Sequence, residues 1–313
     1  MVDPLNFIFS CLVFPGLIFA CGVGCLFEGV DRKCAAHMQH RIGPPVWQPY
    51  LDIGKLLGKE DITPARSQRW MFTLAPLLAF GAILAVMTVL PVNSATPAFG
   101  STADLIVVIY LLNIPAIALM LGGYSSSGSF GIVGSGRYVI QLFGYEFPFI
   151  IAALTVSAAV GSLSLATIVN FQSQNGWLFS QMPLAFIAAL LVAPGKLLKT
   201  PFDIPDAETE IVHGPLTEYS GPKLAIFQLA YNMEMLAVAG FIAVLFLGGP
   251  TAFTVGGLQV PGVVSFFIKA LAIVLLMTLI RCITARLRID QALRFYWIPI
   301  AIIALINLAV VVI

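Results

Sequence analysis

Charge is what this 313-residue chain has least of: Asp, Glu, Lys and Arg make up 10% of it, against about a quarter of a soluble domain. With 59% hydrophobic residues and a mean hydropathy of +0.97, a soluble fold has no means of hiding so much apolar surface, and lipid is the expected solvent. Long basic runs are absent and the formal net charge is +1, which excludes nucleic acid as an expected partner. The five cysteines, Cys11, Cys21, Cys25, Cys34 and Cys282, form no C-x-x-C pair. No metal or redox centre is therefore expected in this chain. His37 and His40 stand three apart without a third ligand, and His213 is alone. There is no Walker loop, dinucleotide fingerprint or nucleophile elbow; the glycine-rich "GSFGIVGSGR" falls between apolar segments. The first apolar segment carries no cleavage pattern and is long enough to stay as a span.

Apolar segments are what the chain has instead. A span needs about 20 mainly apolar residues, and eight stretches qualify: Leu5–Phe27, Trp70–Leu90, Leu105–Gly122, Tyr138–Val160, Trp177–Pro194, Leu224–Leu247, Val263–Ile280 and Phe295–Ile313. The predicted fold is an all-α integral membrane bundle of about eight helices, one membrane domain over residues 1–313. Pro15, Pro76, Pro115 and Pro148 lie inside spans, which a bundle tolerates when neighbours satisfy the freed carbonyls. The connecting segments alternate sharply in charge. Fifteen of the sixteen basic residues fall between the first and second, third and fourth, fifth and sixth, and seventh and eighth spans. By the positive-inside rule these loops face the cytoplasm and both termini face outward. Lys269, within the seventh span, is the remaining basic residue.

Two long polar segments therefore share the cytoplasmic side. The first, 28–69, contains "RIGPPVWQPYLDIGKLLGKED". Leu51, Ile53, Leu56 and Leu57 alternate there with Asp52, Lys55 and Lys59, beside Trp47 and Tyr50, and predict a short amphipathic helix lying on the membrane or against a partner. The second, 196–223, gathers Asp203, Asp206, Glu208, Glu210 and Glu218. Asp206 and Glu210 are spaced i, i+4, so on a helix they share a face and repel. Either this is a solvated acidic loop or it is the mouth of a path for ions.

Three charges are expected inside the bilayer. Glu146 lies roughly 12 Å into the fourth span and Glu234 roughly 15 Å into the sixth, at 1.5 Å per residue. Lys269 enters the seventh from the other side by roughly 9 Å. A central charge costs at least about 2.5–3.5 kcal/mol to insert, and such residues mark ion paths or hold helices together as pairs. The expected path runs from the acidic loop past Glu146 and Glu234 to Lys269. A passive anchor has no use for these charges.

Four stretches, in order along nearly the whole chain, carry a family resemblance. "DRKCAAHMQHRIGP" (31–44), "QLFGYEFPF" (141–149), "PFDIPDAETEIVHGPLTEYSG" (201–221) and "IKALAIVLLMTLIRCITARLRIDQ" (268–291) resemble the core membrane subunit shared by respiratory complex I (its H subunit, or NADH dehydrogenase subunit 1) and the energy-converting membrane-bound hydrogenases. Asp31 and Asp206 stand where the family has glutamate. The resemblance implies a non-redox membrane subunit of an ion-translocating oxidoreductase, coupling electron transfer to H⁺ or Na⁺ movement. It implies iron–sulfur clusters, and a nickel–iron site in a hydrogenase, in peripheral cytoplasmic partners; antiporter-like membrane subunits as neighbours; and the cell membrane as location. It makes Glu146, Glu234, Lys269, Asp203, Asp206, Glu208, Glu210 and Glu218 ion-path candidates. It makes Asp31, Arg32, Arg41, Trp47, Gln48, Tyr50, Asp52 and Lys55 candidates for docking the redox module. The compact 43–61 stretch is nearer the hydrogenase branch, which uses no quinone, and implies a hydrogenase or sulfur-reducing complex. A quinone-binding membrane subunit of a complex I-type dehydrogenase and a stand-alone secondary transporter are the alternatives.

Overall fold

A computed structural model describes residues 9–100, 103–252, 254–255 and 258–312. The helices are α1 (Leu17–Met38), α2 (Gln48–Leu57), α3 (Arg69–Val89), α4 (Asp104–Leu111), α5 (Ile114–Ser125), α6 (Ser129–Val160), α7 (Leu165–Asn175), α8 (Pro183–Lys196), α9 (Gly221–Leu247), α10 (Gly262–Ile283), α11 (Ile289–Phe295) and α12 (Ala301–Val312). A π-helical turn, Tyr296–Ile300, joins α11 to α12. A two-stranded ribbon pairs Thr254 with Gln259 and Val255 with Leu258.

α9 is the axis of the bundle. Its second half, 235–247, is apolar all round, and 89% of the helix's most hydrophobic window is buried, the pattern of a helix enclosed by others. α1, α3 and α10 pack around it. Small residues set the close approaches, as they do between helices in lipid. A Cβ at Gly24 of α1 would lie 2.7 Å from the Asn232 carbonyl oxygen of α9, and one at Gly240 would lie 2.6 Å from the Phe266 ring of α10.

Ion pairs place every charged segment at one end of the bundle. Lys199 meets Glu28, Arg137 meets Glu210, Lys223 meets Asp61, and Arg286 meets Asp203. The other connections meet at the opposite end: Leu105 N–H donates to Leu163 O, and Gly262 packs on Asn93 O and Pro250 O. The alternation of loop charge is thus a real sidedness.

Two expected boundaries are corrected. α1 runs on to Met38 rather than ending at Phe27, because Glu28, Asp31 and Arg32 find partners that keep them helical. The fifth span is not a full-length helix over Trp177–Pro194. Seven helical stretches are long and apolar enough to cross a membrane, and α8 has 14 residues, or about 21 Å of the 30 Å hydrocarbon core. The chain still passes from the uncharged end to the charged one, and the non-helical 197–205 segment continues it beyond α8. Irregular backbone at that depth is tolerated where protein or a cavity surrounds it, and this one borders a cavity.

The α1–α2 connection provides a test of the charged end. A Cβ at Gly29 would sit 1.8 Å from the Val46 carbonyl oxygen, a backbone atom that cannot turn aside. Gly29→Ala is expected to push residues 43–47 off α1, seen as faster limited proteolysis between α1 and α2 in membranes. Unchanged cleavage sinks this packing account.

Candidate functional site: a buried acid–lysine junction beneath a polar cavity

Three broken or ended helices meet at one point. The third apolar stretch is interrupted between α4 and α5, where Pro115 lacks the N–H that would continue the ladder. Asn113 sits at this break. Its Nδ2 donates to Glu146 Oε1 of α6 at 2.7 Å. Lys196, at the end of α8, donates from Nζ to Asn113 Oδ1 at 2.6 Å and to Glu146 Oε2 at 3.1 Å. The triangle closes, each member satisfying the other two. The Lys196 side chain is 0% exposed and that of Glu146 14%. Glu146 stands fourteen residues before α6 ends at Val160, about 21 Å from the uncharged end and level with the truncated end of α8.

Glu234 of α9 lies behind this triangle. It is 1% exposed, and neither carboxyl oxygen has a hydrogen-bond partner among the described residues. Lys196 is the cation that acts on it. The ammonium also lies 5.2 Å from the ring centres of Tyr145 and Phe149, a favourable cation–π distance. The buried Tyr145 and the shielded hydroxyl of Tyr231 complete the polar surroundings.

A cavity of about 430 Å³ opens above it from the charged end. Tyr231, Asn232 and Gln228 of α9 form one wall, the 197–206 segment another, and Glu28, Arg32 and Arg281 a third. Asp31, 2% exposed, anchors this rim. It accepts from Lys199 Nζ, from Arg281 Nη1 at 2.7 Å and from Thr278 Oγ1 at 2.7 Å, so α1, α10 and the segment after α8 share one carboxylate. Glu28 accepts from Lys199 Nζ at 2.8 Å and Arg32 Nε at 2.8 Å. Arg32 extends to Asp52 of α2 at 3.1 Å, which Gln48 Nε2 also reaches at 2.9 Å. Tyr219 closes the far side, donating to Phe72 O at 3.0 Å; burial pushes its phenol up, so it stays a neutral donor.

The predicted acids are divided among separate partners. Asp203 accepts from Arg286 Nε at 2.7 Å, and Asp206 contacts His213 Nδ1 at 2.9 Å; both line the cavity. Glu210 pairs with Arg137 at 2.6 Å on the exposed surface. The helical turn that forms here, Glu208–Ile211, begins after Asp206, so Asp206 and Glu210 do not share a helix face. Glu218 is exposed beside Gly128. The side chain of Glu208 lies outside the described residues. Of the docking candidates, Trp47, Tyr50, Lys55 and Arg41 are exposed, and Tyr50 donates to Gly22 O, fixing α2 on α1. Burial, and behind it the neighbouring Cys25, raises the Tyr50 phenol. The predicted amphipathic helix is α2, its Ile53 packed with Cys25 and Ala225.

Lys269 does not join the two glutamates. Its Nζ donates to Gly249 O at 2.9 Å, Thr251 O at 3.3 Å and Thr251 Oγ1 at 2.9 Å, and lies 5.5 Å from the Trp177 ring centre. These groups belong to the uncharged end, just past the end of α9, and Glu234 is thirteen residues back, about 20 Å. The lysine beside the glutamates is Lys196, which its sequence position among Lys199 and the acidic loop disguised as a loop charge. One signal pointed the other way: Lys196 directly continues the run "AALLVAPGK" without a polar spacer.

Among the described residues no group of His, Cys, Asp and Glu is placed to hold a metal. A helical bundle with seven helices long and apolar enough to cross a membrane and an eighth, shorter apolar one, with buried acids and a lysine near a cavity at its charged end, defines a polytopic membrane protein. The chain belongs to the NADH dehydrogenase family, whose model matches residues 11–312. It is 36% identical over 293 residues to the H subunit of NADH-quinone oxidoreductase from Geobacillus kaustophilus (90% of this chain, 87% of that protein). It is 36% identical over 287 residues to the same subunit of Geobacillus thermodenitrificans (89% and 85%). Among solved structures it is similar to a chain of the membrane-bound sulfane sulfur reductase, an archaeal respiratory membrane complex, at 30% identity and a TM-score of 0.88, covering 98% of this chain and 99% of that one.

Proposed function

We propose that this chain is the membrane subunit of an ion-translocating respiratory oxidoreductase complex of the sulfur-reducing or hydrogenase type, and that it couples electron transfer in docked partners to ion movement through Glu146, Lys196 and Glu234. The observation that carries the reading is the closed Glu146–Asn113–Lys196 junction, inside the helical bundle and beneath the polar cavity. A charge change in a partner docked on the rim alters the balance among Asp31, Lys199, Arg281 and Asp203. Lys199 is three residues from Lys196, so movement of that segment reaches the junction directly. Asp203 and Asp206 lie at the cavity mouth, whereas Glu210 and Glu218 are surface residues suited to docking. The charged end faces the cytoplasm of the cell membrane and both termini face outward. Iron–sulfur subunits, with a nickel–iron site in the hydrogenase case, occupy the charged face. Glu146 lies near the lateral, exposed Tyr110, Phe143 and Phe147; an acid at that depth needs protein beside it, so an antiporter-like subunit covers this side.

In inverted membrane vesicles with a low-potential iron–sulfur donor, Glu146→Gln and Glu234→Gln are expected to abolish ion uptake per electron while the complex remains assembled. Coupled uptake persisting in both variants defeats this path. A quinone-binding reading is favoured by the names of the curated relatives. The sulfur-reducing or hydrogenase reading is supported by the near end-to-end match to the sulfane reductase chain and by the compact 43–61 segment. Reduction of a short-chain quinone by the same vesicles, in place of protons or polysulfide, decides for the alternative.

A further inference from the structure

The π-helical turn in the last span holds a side chain against the junction. Pro299 has no N–H for Phe295 O and its ring crowds that carbonyl; the chain responds with a π-turn over Tyr296–Ile300, a form found mostly as single turns and often at functional sites. Tyr296 is 0% exposed and its hydroxyl has no hydrogen-bond partner among the described residues. Its ring is wedged between α6 and the end of α8. A Cβ at Gly144 would lie 3.3 Å from the ring, and one at Gly195 would lie 1.9 Å from the hydroxyl oxygen. Phe202 covers the ring at 4.7 Å between centres. From the same side Gln141 Nε2 donates to Gly195 O at 2.9 Å and Phe202 O at 2.8 Å. Gly195 immediately precedes Lys196, at the point where the α8 ladder stops and its last carbonyls lose their helical partners.

We infer that Tyr296 is a positioning residue of the ion path, seated by the π-turn so that its hydroxyl, against Gly195, holds the truncated end of α8 where Lys196 meets Glu146 and Asn113. The inference rests on the path proposed above. A buried hydroxyl without a partner is costly, and a plain packing role needs only the ring. The oxygen is retained where the one lysine of the junction must be held while its acidic partners change charge. Relaxation of the π-turn to a regular helix would rotate Tyr296 away from Gly195, so the same element ties the last span to the Lys196 position.

Tyr296→Phe keeps the ring and removes the oxygen. In vesicles carrying the whole complex, it is expected to lower ion uptake per electron at least five-fold with the KM for the iron–sulfur donor unchanged. Gly195→Ala, which drives the hydroxyl out from the other side, is expected to do the same. Wild-type ion uptake per electron in Tyr296→Phe overturns the inference, whether or not Gly195→Ala assembles. Glu146→Gln measured in parallel separates the two ideas: if it remains coupled, the path itself is wrong; if it is uncoupled while Tyr296→Phe is normal, only the role of Tyr296 fails.

Discussion

Lys196→Ala is expected to abolish ion-coupled turnover and to destabilise the membrane domain. The alanine leaves Asn113 Oδ1 and one Glu146 oxygen unpaired in a buried site and removes the cation acting on Glu234. Breaking a buried pair by deleting one partner costs about 3–5 kcal/mol, because an uncompensated charge stays behind. Loss of activity alone would not separate an ion path from a structural clamp. The double variant Lys196→Met with Glu146→Gln does. It replaces the pair by groups of similar volume without a buried charge, which is often neutral or stabilising, and the introduced amide keeps an oxygen for Asn113 Nδ2. The single alanine variant should melt early and not translocate; the double variant should melt near the wild-type temperature and still not translocate. Thermal unfolding of the purified complex and ion uptake by vesicles read the two outcomes. Translocation by the double variant would remove the junction from the path.

The second large effect is expected at Asp31. Alanine there leaves Lys199 and Arg281 facing each other with Glu28 alone to balance them, and leaves Thr278 Oγ1 without its carboxylate. Three elements are released together, so the rim should open and peripheral subunits should be lost on detergent extraction. Asp31→Asn keeps the shape and an acceptor for Thr278, but loses the charge that holds two cations. It should therefore behave nearly as badly as alanine, by several kcal/mol on the scale of a broken buried pair. Asp31→Glu should do best of the three, since it keeps the charge on a longer arm. The measure is the fraction of complex that retains its peripheral subunits, read against salt. If asparagine is as stable as the wild type, shape rather than charge governs the rim.

Most of the helices could be read from the chain because hydrophobic length is a local property. Seven of eight spans needed only a window of apolar residues, and the charge of the loops ordered their ends. α2 was legible from its mixed Leu and Lys spacing, and Glu146 and Glu234 stood out because an acid in an apolar run has no other company. The length of α8 is not legible in the same way: a hydropathy window does not register that a helix begins at Pro183 and stops at Lys196. The role of Asp31 is not legible in the sequence, because nothing adjacent to it reveals partners on α10 and after α8.

The sequence by itself determined the solvent, which end is charged and that Glu146 and Glu234 lie within apolar helices, since each follows from transfer cost along a single segment. The tertiary structure alone decided the pairing. It set Lys269 among the carbonyls of the uncharged end, far from the glutamates, and brought Lys196 to Glu146 through the broken helix at Asn113. Contacts between residues 50 to 250 positions apart depend on how helices pack, and no local pattern of hydrophobicity or charge encodes them.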